Sequence, residues 1–228
     1  MAAKPKSSKD AGSDACDSTQ ATEDAAGRRV AANQERPVFY FDINSPYAWL
    51  AAERVHHVLP EPPVWQPIAF AFILRHDDRV PWSLEGEESR EAGKRIVEER
   101  AAERGLQEVR WPPEWPRDSY SLPAMRAAIF AAEIGKVVAF TQAAFRQQFN
   151  AGRAMSNVDN VLLAAAACEL HPRALLKALE MQSIKQKLTD ATNDAIARGV
   201  PGVPTVRVGD RLFWGDDKLE EAAYAFAA

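Results

Sequence analysis

Apolar residues along this chain keep two different spacings, and the changes between them divide it. Val38–Asp42 is short, aromatic and closed by Asn44-Ser45-Pro46, which predicts a buried strand. Pro46 suits the first turn of a helix. Tyr47, Leu50, Ala51, Val55 and Val58 give that helix one apolar face as far as Pro60. Val64–Ala69 predicts a second strand despite Pro67. From Phe72 to Gln182 the period is helical. Glu88–Arg104 predicts a charged helix closed by Gly105, and Trp111-Pro112-Pro113-Glu114-Trp115-Pro116 an extended loop. Helices are expected over Leu122–Glu133, Val137–Phe149, Val158–Leu170, Pro172–Leu179 and Ser183–Arg198, the last stopped at Gly199. Then the spacing changes again. Thr205–Val208 reads as a strand, Gly209-Asp210 as a hairpin turn and Arg211–Trp214 as its partner. Gly215-Asp216-Asp217 is expected to cap a last helix running through Phe226.

The order β-α-β, helical block, β-β-α is met most simply by an α/β thioredoxin-like fold with a large all-helical insertion. On that reading 37–71 and 183–228 form the thioredoxin-like domain and 72–182 the helical insertion. Residues 1–36 are apolar-poor, with balanced charges, and are expected to be a disordered tail because they cannot offset the entropy of ordering.

Composition narrows the function. The chain has 228 residues, 46% of them hydrophobic, enough for a substantial core. Its net charge of −4 argues against nucleic acid as a partner. No apolar run is long enough for a membrane span, and no secretory leader is evident. The two cysteines, Cys16 and Cys168, form no CxxC pair, which fits a reducing, cytoplasmic setting. His56 and His57 diverge on a helix, while His76 and His171 lack matching partners, so no metal site is expected.

Two constellations carry chemistry. Ser45 stands where a helix begins, so its hydroxyl and the unpaired N–H groups there can meet an anion such as a thiolate; a plain N-cap explains the same serine. In Gly199-Val200-Pro201-Gly202-Val203-Pro204-Thr205 a proline precedes a strand. A cis Val203-Pro204 bond would turn the Val203 backbone toward a peptide ligand, whereas a trans proline would simply start the strand.

Taken together, Phe41-Asp42-Ile43-Asn44-Ser45-Pro46-Tyr47-Ala48-Trp49-Leu50, Gly202-Val203-Pro204-Thr205 and Phe213-Trp214-Gly215-Asp216-Asp217-Lys218-Leu219 resemble the 2-hydroxychromene-2-carboxylate isomerase family. That family is close to the kappa-class glutathione transferases, within the DsbA-like thioredoxin superfamily. Where DsbA-like oxidoreductases carry Cys-Pro-x-Cys, this chain reads Ser45-Pro46-Tyr47-Ala48, so thiol–disulfide exchange by the motif is excluded. The resemblance implies glutathione as cofactor, with Ser45 donating to its sulfur. It places Lys94 on the glycine carboxylate, although a solvated helix face explains Lys94 equally well. It places Asp216 and Asp217 at the γ-glutamyl end and makes Val203 and Pro204 cofactor-binding residues as well. Asp216 departs from the family pattern and brings repulsion toward the glutamyl carboxylate. Phe70–Asp78 lacks the family's Gly/Asn-rich stretch, and Pro201 replaces an apolar residue.

The activity implied is a glutathione-dependent cis-trans isomerase acting on 2-hydroxychromene-2-carboxylate or a related aromatic-degradation intermediate. A kappa-like glutathione transferase and a non-catalytic thiol- or peptide-binding module are the alternatives. The implied partners are a small aromatic substrate and a second copy in a homodimer, with neither nucleic acid nor membrane. Trp111, Trp115 and Trp214 are candidates for an aromatic-lined pocket, against ordinary packing.

Overall fold

Four short strands and the helices on both their faces were described from a computed structural model covering residues 35–113, 115–117 and 120–228. The expected N-terminal tail lies outside the described residues apart from its last two. Of these, Arg36 is held, its guanidinium donating to Pro62 O at 2.6 and 3.0 Å. Residues Arg36–Ala228 form one compact unit.

Strand β1 (Val38–Phe41) runs parallel to β2 (Val64–Pro67), with Val38 opposite Val64 and Phe41 opposite Pro67. A parallel pair needs a crossover, and here it is supplied by helices α1 (Pro46–Ala52) and α2 (Val55–Val58). The single helix expected up to Pro60 is therefore two, broken at Glu53-Arg54. Glu53 at the break receives Arg146 Nε and Nη2 at 2.9 and 2.8 Å. β2 is also shorter than expected, because Ala69 turns its N–H to Thr192 Oγ1 at 3.0 Å.

The helical run comprises α3 (Phe70–His76), α4 (Trp82–Glu85), α5 (Glu87–Glu103), α6 (Leu122–Glu133), α7 (Val137–Phe149), α8 (Val158–Ala167), α9 (Pro172–Glu180) and α10 (Gln182–Ala197). The chain then returns through β3 (Thr205–Val208), antiparallel to β1, and β4 (Arg211–Trp214), antiparallel to β3. Gly209, at φ +56°, makes the hairpin turn. The sheet order is β2-β1-β3-β4. This is the thioredoxin-like arrangement with many added helices.

Alternation along β1 explains the two layers. Phe39 and Phe41 point one way, packing on Trp65 at 4.9 and 5.6 Å between ring centroids. Phe41 continues to Phe145 of α7 at 6.2 Å. The large core on that face joins the sheet to α1 and α5–α9 without a break. Tyr40 points the other way into a smaller cluster with Ile68, Ile73, Ala195, Val200 and Val203.

The last helix, α11 (Leu219–Ala227), begins later than expected. Its N-cap is Lys218, without a side-chain cap bond, so Asp216 and Asp217 are not its caps. The acids in its first turn are Glu220 and Glu221. Asp216 is engaged elsewhere.

Candidate functional site

A cavity of about 780 Å³ opens where the β1–α1 turn, the loop before β3 and the loop after β4 meet. That volume lies within the range of sites for small organic ligands. Ser45, Val203, Pro204, Asp216 and Asp217 all line it. Lys94 does not. Its ammonium pairs with Glu91 at 3.0 Å and lies 5.6 Å from the Trp111 ring centroid. The cavity's cations are Arg79, Arg100 and Arg117 instead.

The β1–α1 turn is fixed by residues far away in the chain. Asp42 is buried at 3% exposure; its Oδ1 accepts from Asn44 N at 2.9 Å and Ser121 Oγ at 2.6 Å, and its Oδ2 from Phe70 N at 3.0 Å. Asn44 in turn accepts from Gln148 Nε2 on its Oδ1 at 3.0 Å and from Trp115 Nε1 on its carbonyl at 3.3 Å. Ser45 is thus presented by a turn tied to α3, α6, α7 and the tryptophan loop.

Burial pushes the Asp42 carboxyl above its ordinary value, and donation from Ser121, Asn44 and Phe70 pulls it partly back. A folded-state pKa raised above the unfolded 3.8 gives stability that is full below that value and fades as the pH rises through the folded one. Wild type should therefore lose stability relative to Asp42→Asn as the pH climbs from acid toward neutral. Urea midpoints of the two proteins across pH check this; a constant difference would refute it.

Ser45 is the N-cap of α1, as its place before Pro46 predicts: Oγ accepts from Ala48 N at 3.2 Å. The hydroxyl proton is less well used. The nearest acceptor is Val203 O at 3.5 Å, beyond the usual O–H···O range of about 2.5–3.0 Å. The Val203-Pro204 peptide is cis, so of the two readings of this loop the cis one holds. Because α1 has only seven residues, the hydroxyl, more than a long helix dipole, is what this turn offers an anion.

Asp216 is buried at 1% exposure, where Arg100 Nη1 and Arg104 Nη2 reach its two carboxylate oxygens at 2.5 and 2.6 Å. Arg54 Nη1 adds a long 3.4 Å contact to its carbonyl and pairs with Glu220. The charge expected to repel a ligand carboxylate is therefore answered by Arg100 and Arg104. The Arg100 guanidinium also lies 5.5 Å from the Tyr47 ring centroid on the cavity wall. Asp217, exposed beside it, has no ion pair among the described residues.

The opposite wall holds Arg79. It donates to Pro201 O, pairs with Asp77 at 2.9 Å, and lies 5.8 Å from the Trp214 ring centroid. Its Nε is buried without an acceptor among the described residues. Tyr120 also lines the cavity, and burial together with the Asp42 charge pushes its pKa to about 12, keeping the phenol protonated. Sequence reading missed Arg79, Arg100 and Tyr120, because each acts across the fold without a local motif.

The profile of the DSBA-like thioredoxin domain matches residues 38–227. The chain belongs to the DsbA-like thioredoxin family. Within this family's fold, it is similar to a solved 2-hydroxychromene-2-carboxylate isomerase at 20% identity and a TM-score of 0.75, over 84% of this chain and 94% of that one. A probable DsbA oxidoreductase from Streptomyces coelicolor is similar at 17% identity and a TM-score of 0.67, over 84% and 88% of the two chains. The cytosolic disulfide reductase DsbM from Pseudomonas aeruginosa is similar at 15% and 0.55, over 85% and 95%. No curated protein matches the chain.

Identities this low establish the fold, and the chemistry has to come from the site. No cysteine lines the cavity of this DsbA-like protein among the described residues. Cys168 is buried in the helical block, where its thiol donates to Ala165 O at 3.3 Å and burial raises its pKa. The described residues contain no cluster suited to a metal ion and no helix long and apolar enough to cross a membrane. His56 is accounted for by packing: it stacks on Trp65 and accepts from Trp65 Nε1 at 3.1 Å.

Proposed function

We propose that this chain is a glutathione-dependent cis-trans isomerase of the cytoplasm, acting on 2-hydroxychromene-2-carboxylate or a related intermediate of aromatic-ring degradation. The observation that carries the reading is Ser45, a hydroxyl whose oxygen is fixed as an N-cap while, among the described residues, its proton has only a 3.5 Å acceptor and its cavity has no thiol. Such a group suits a ligand's thiolate better than it suits nucleophilic attack, since no base lies hydrogen-bonded to it among the described residues.

Further features support the fit to a tripeptide with a carboxylate at each end. Val203 offers backbone groups beside Ser45, and the Arg79 and Arg100 guanidinium groups and the Asp217 carboxylate also line the cavity. On this reading Arg79 takes the role that Lys94 was expected to fill, and Asp217 takes the ligand's ammonium. Asp216 acts through Arg100, holding it in place. Glutathione, when bound, would supply a thiolate for conjugate addition to an enone, which turns its C=C bond into a single bond free to rotate, and expulsion of the same thiolate would restore the double bond as the isomer. The protein's part is to orient the sulfur at Ser45, hold the two ends, and keep the substrate ring against an apolar wall.

Calorimetric titration with glutathione is expected to give saturable one-to-one binding that weakens in Arg79→Ala and is unaffected in Lys94→Ala. Incubation of the loaded protein with the chromene carboxylate should then return an isomer with glutathione recovered unchanged. A retained conjugate would instead point to a transferase. Absence of glutathione binding would remove the proposal altogether.

A further inference from the structure

Trp82 rests against α5 at a place where only glycine leaves room. A Cβ added at Gly93 would lie 2.2 and 2.3 Å from Cζ3 and Cε3 of the Trp82 ring, and 2.8 Å from Cη2. Contacting carbons stay about 3.5–4.0 Å apart, so the indole would have to shift by roughly 1.3 Å or more. Its flanks are taken, Tyr47 meeting it edge-on at 6.0 Å and Trp115 tilted at 5.5 Å between ring centroids. With α5 behind and these rings beside it, the space left is the cavity that Trp82 itself lines. Val80, Pro81 and Leu84 from the same short segment line the cavity too, so this side of it is apolar. A glycine within the seventeen-residue α5 weakens the helix relative to alanine, so helix formation does not account for it.

We infer that Gly93 is the specificity-determining residue of this cavity: by seating Trp82 flat against α5 it keeps the apolar side beside Trp82 open to a planar aromatic ligand, with the indole as the wall of that slot. The inference rests on the reading above only in placing the reacting sulfur at Ser45. The slot itself follows from packing.

The test measures binding of an aromatic anion, anilinonaphthalene sulfonate, to wild type, Gly93→Ala, Trp82→Ala and the double variant, by probe fluorescence. The sulfonate suits the arginines of the cavity, and the rings suit the slot. Gly93→Ala is expected to weaken probe binding about tenfold or more by driving the indole into the slot. Trp82→Ala removes the obstructing ring, so the double variant should match Trp82→Ala to within about twofold. A double variant that binds well below Trp82→Ala alone would overturn the inference, as would a wild type that binds no probe or a Gly93→Ala protein that binds as well as wild type. General loosening of Gly93→Ala would raise probe binding, the opposite of the expected sign. If Gly93→Ala fails to fold, folding and probe binding of the double variant still support the clash with Trp82, and failure of the double variant to fold counts against it. Glutathione titrated into the same proteins separates the two readings: probe behaviour as expected without glutathione binding leaves the slot and removes the isomerase.

Discussion

On the proposed function, replacing Ser45 by alanine is expected to lower turnover roughly 10- to 100-fold while the protein stays folded. A hydrogen bond to a charged group contributes on the order of 1.5–3 kcal/mol, which corresponds to about one to two pKa units on a bound thiol. Loss of the hydroxyl returns that thiol toward its ordinary value, so the rate at neutral pH falls and the rising limb of the pH–rate profile moves to higher pH. The helix also loses its cap, at a cost of about 1 kcal/mol. Ultraviolet absorbance of the bound thiolate, titrated in wild type and variant, measures the shift directly. An unchanged thiol pKa together with an unchanged rate would eliminate the hydroxyl's role.

The second large effect falls on stability and separates two neighbouring acids. Asp216→Ala strands Arg100 and Arg104 beside a hole where a carboxylate had been. Removing one partner of a buried pair costs about 3–5 kcal/mol. Here the arginines keep 34% and 19% side-chain exposure, so water answers part of their charge and the loss belongs near about 3 kcal/mol. Asp217→Ala, exposed and unpaired, should stay within about 0.5 kcal/mol of wild type. Urea unfolding of both variants checks the contrast; equal losses would mean that the α5 arginines do not depend on Asp216. Asp217→Ala is the variant of the two expected to weaken glutathione binding with little change in stability.

What the sequence disclosed is what short-range chemistry determines. Ser45 before Pro46, the Gly209-Asp210 turn and the ends of α6 and α7 are set by neighbours, and they fall where the pattern put them. The cis state of Val203-Pro204 was legible only as one of two possibilities. Lys94 shows where such reading stops. Its offset from Gly105 fixed its helix and said nothing of its direction: six residues rotate a side chain by about 240° around the axis, so Lys94 and Arg100 face different surroundings. Arg100 and Arg104, four apart, share a face and close on Asp216, a contact between residues more than a hundred positions apart. The split of the first helix and the late start of α11 were hidden for the same reason. Tertiary partners, Arg146 for Glu53 and the α5 arginines for Asp216, decide those boundaries.

The many ties on the β1–α1 turn fix the direction of its hydroxyl as well as its shape. Ile43 donates its N–H to Met125 Sδ, Asn44 its N–H to the Asp42 side chain and Ser45 its N–H to the Asp42 carbonyl. With every amide of the turn committed, the hydroxyl is aimed before any ligand arrives. Reorganisation, which a mobile loop would undergo anew in each catalytic cycle, is completed once, when the chain folds. On the proposed function, preorganisation of this kind would let one serine, with no base to activate it, act on the thiol of a bound ligand.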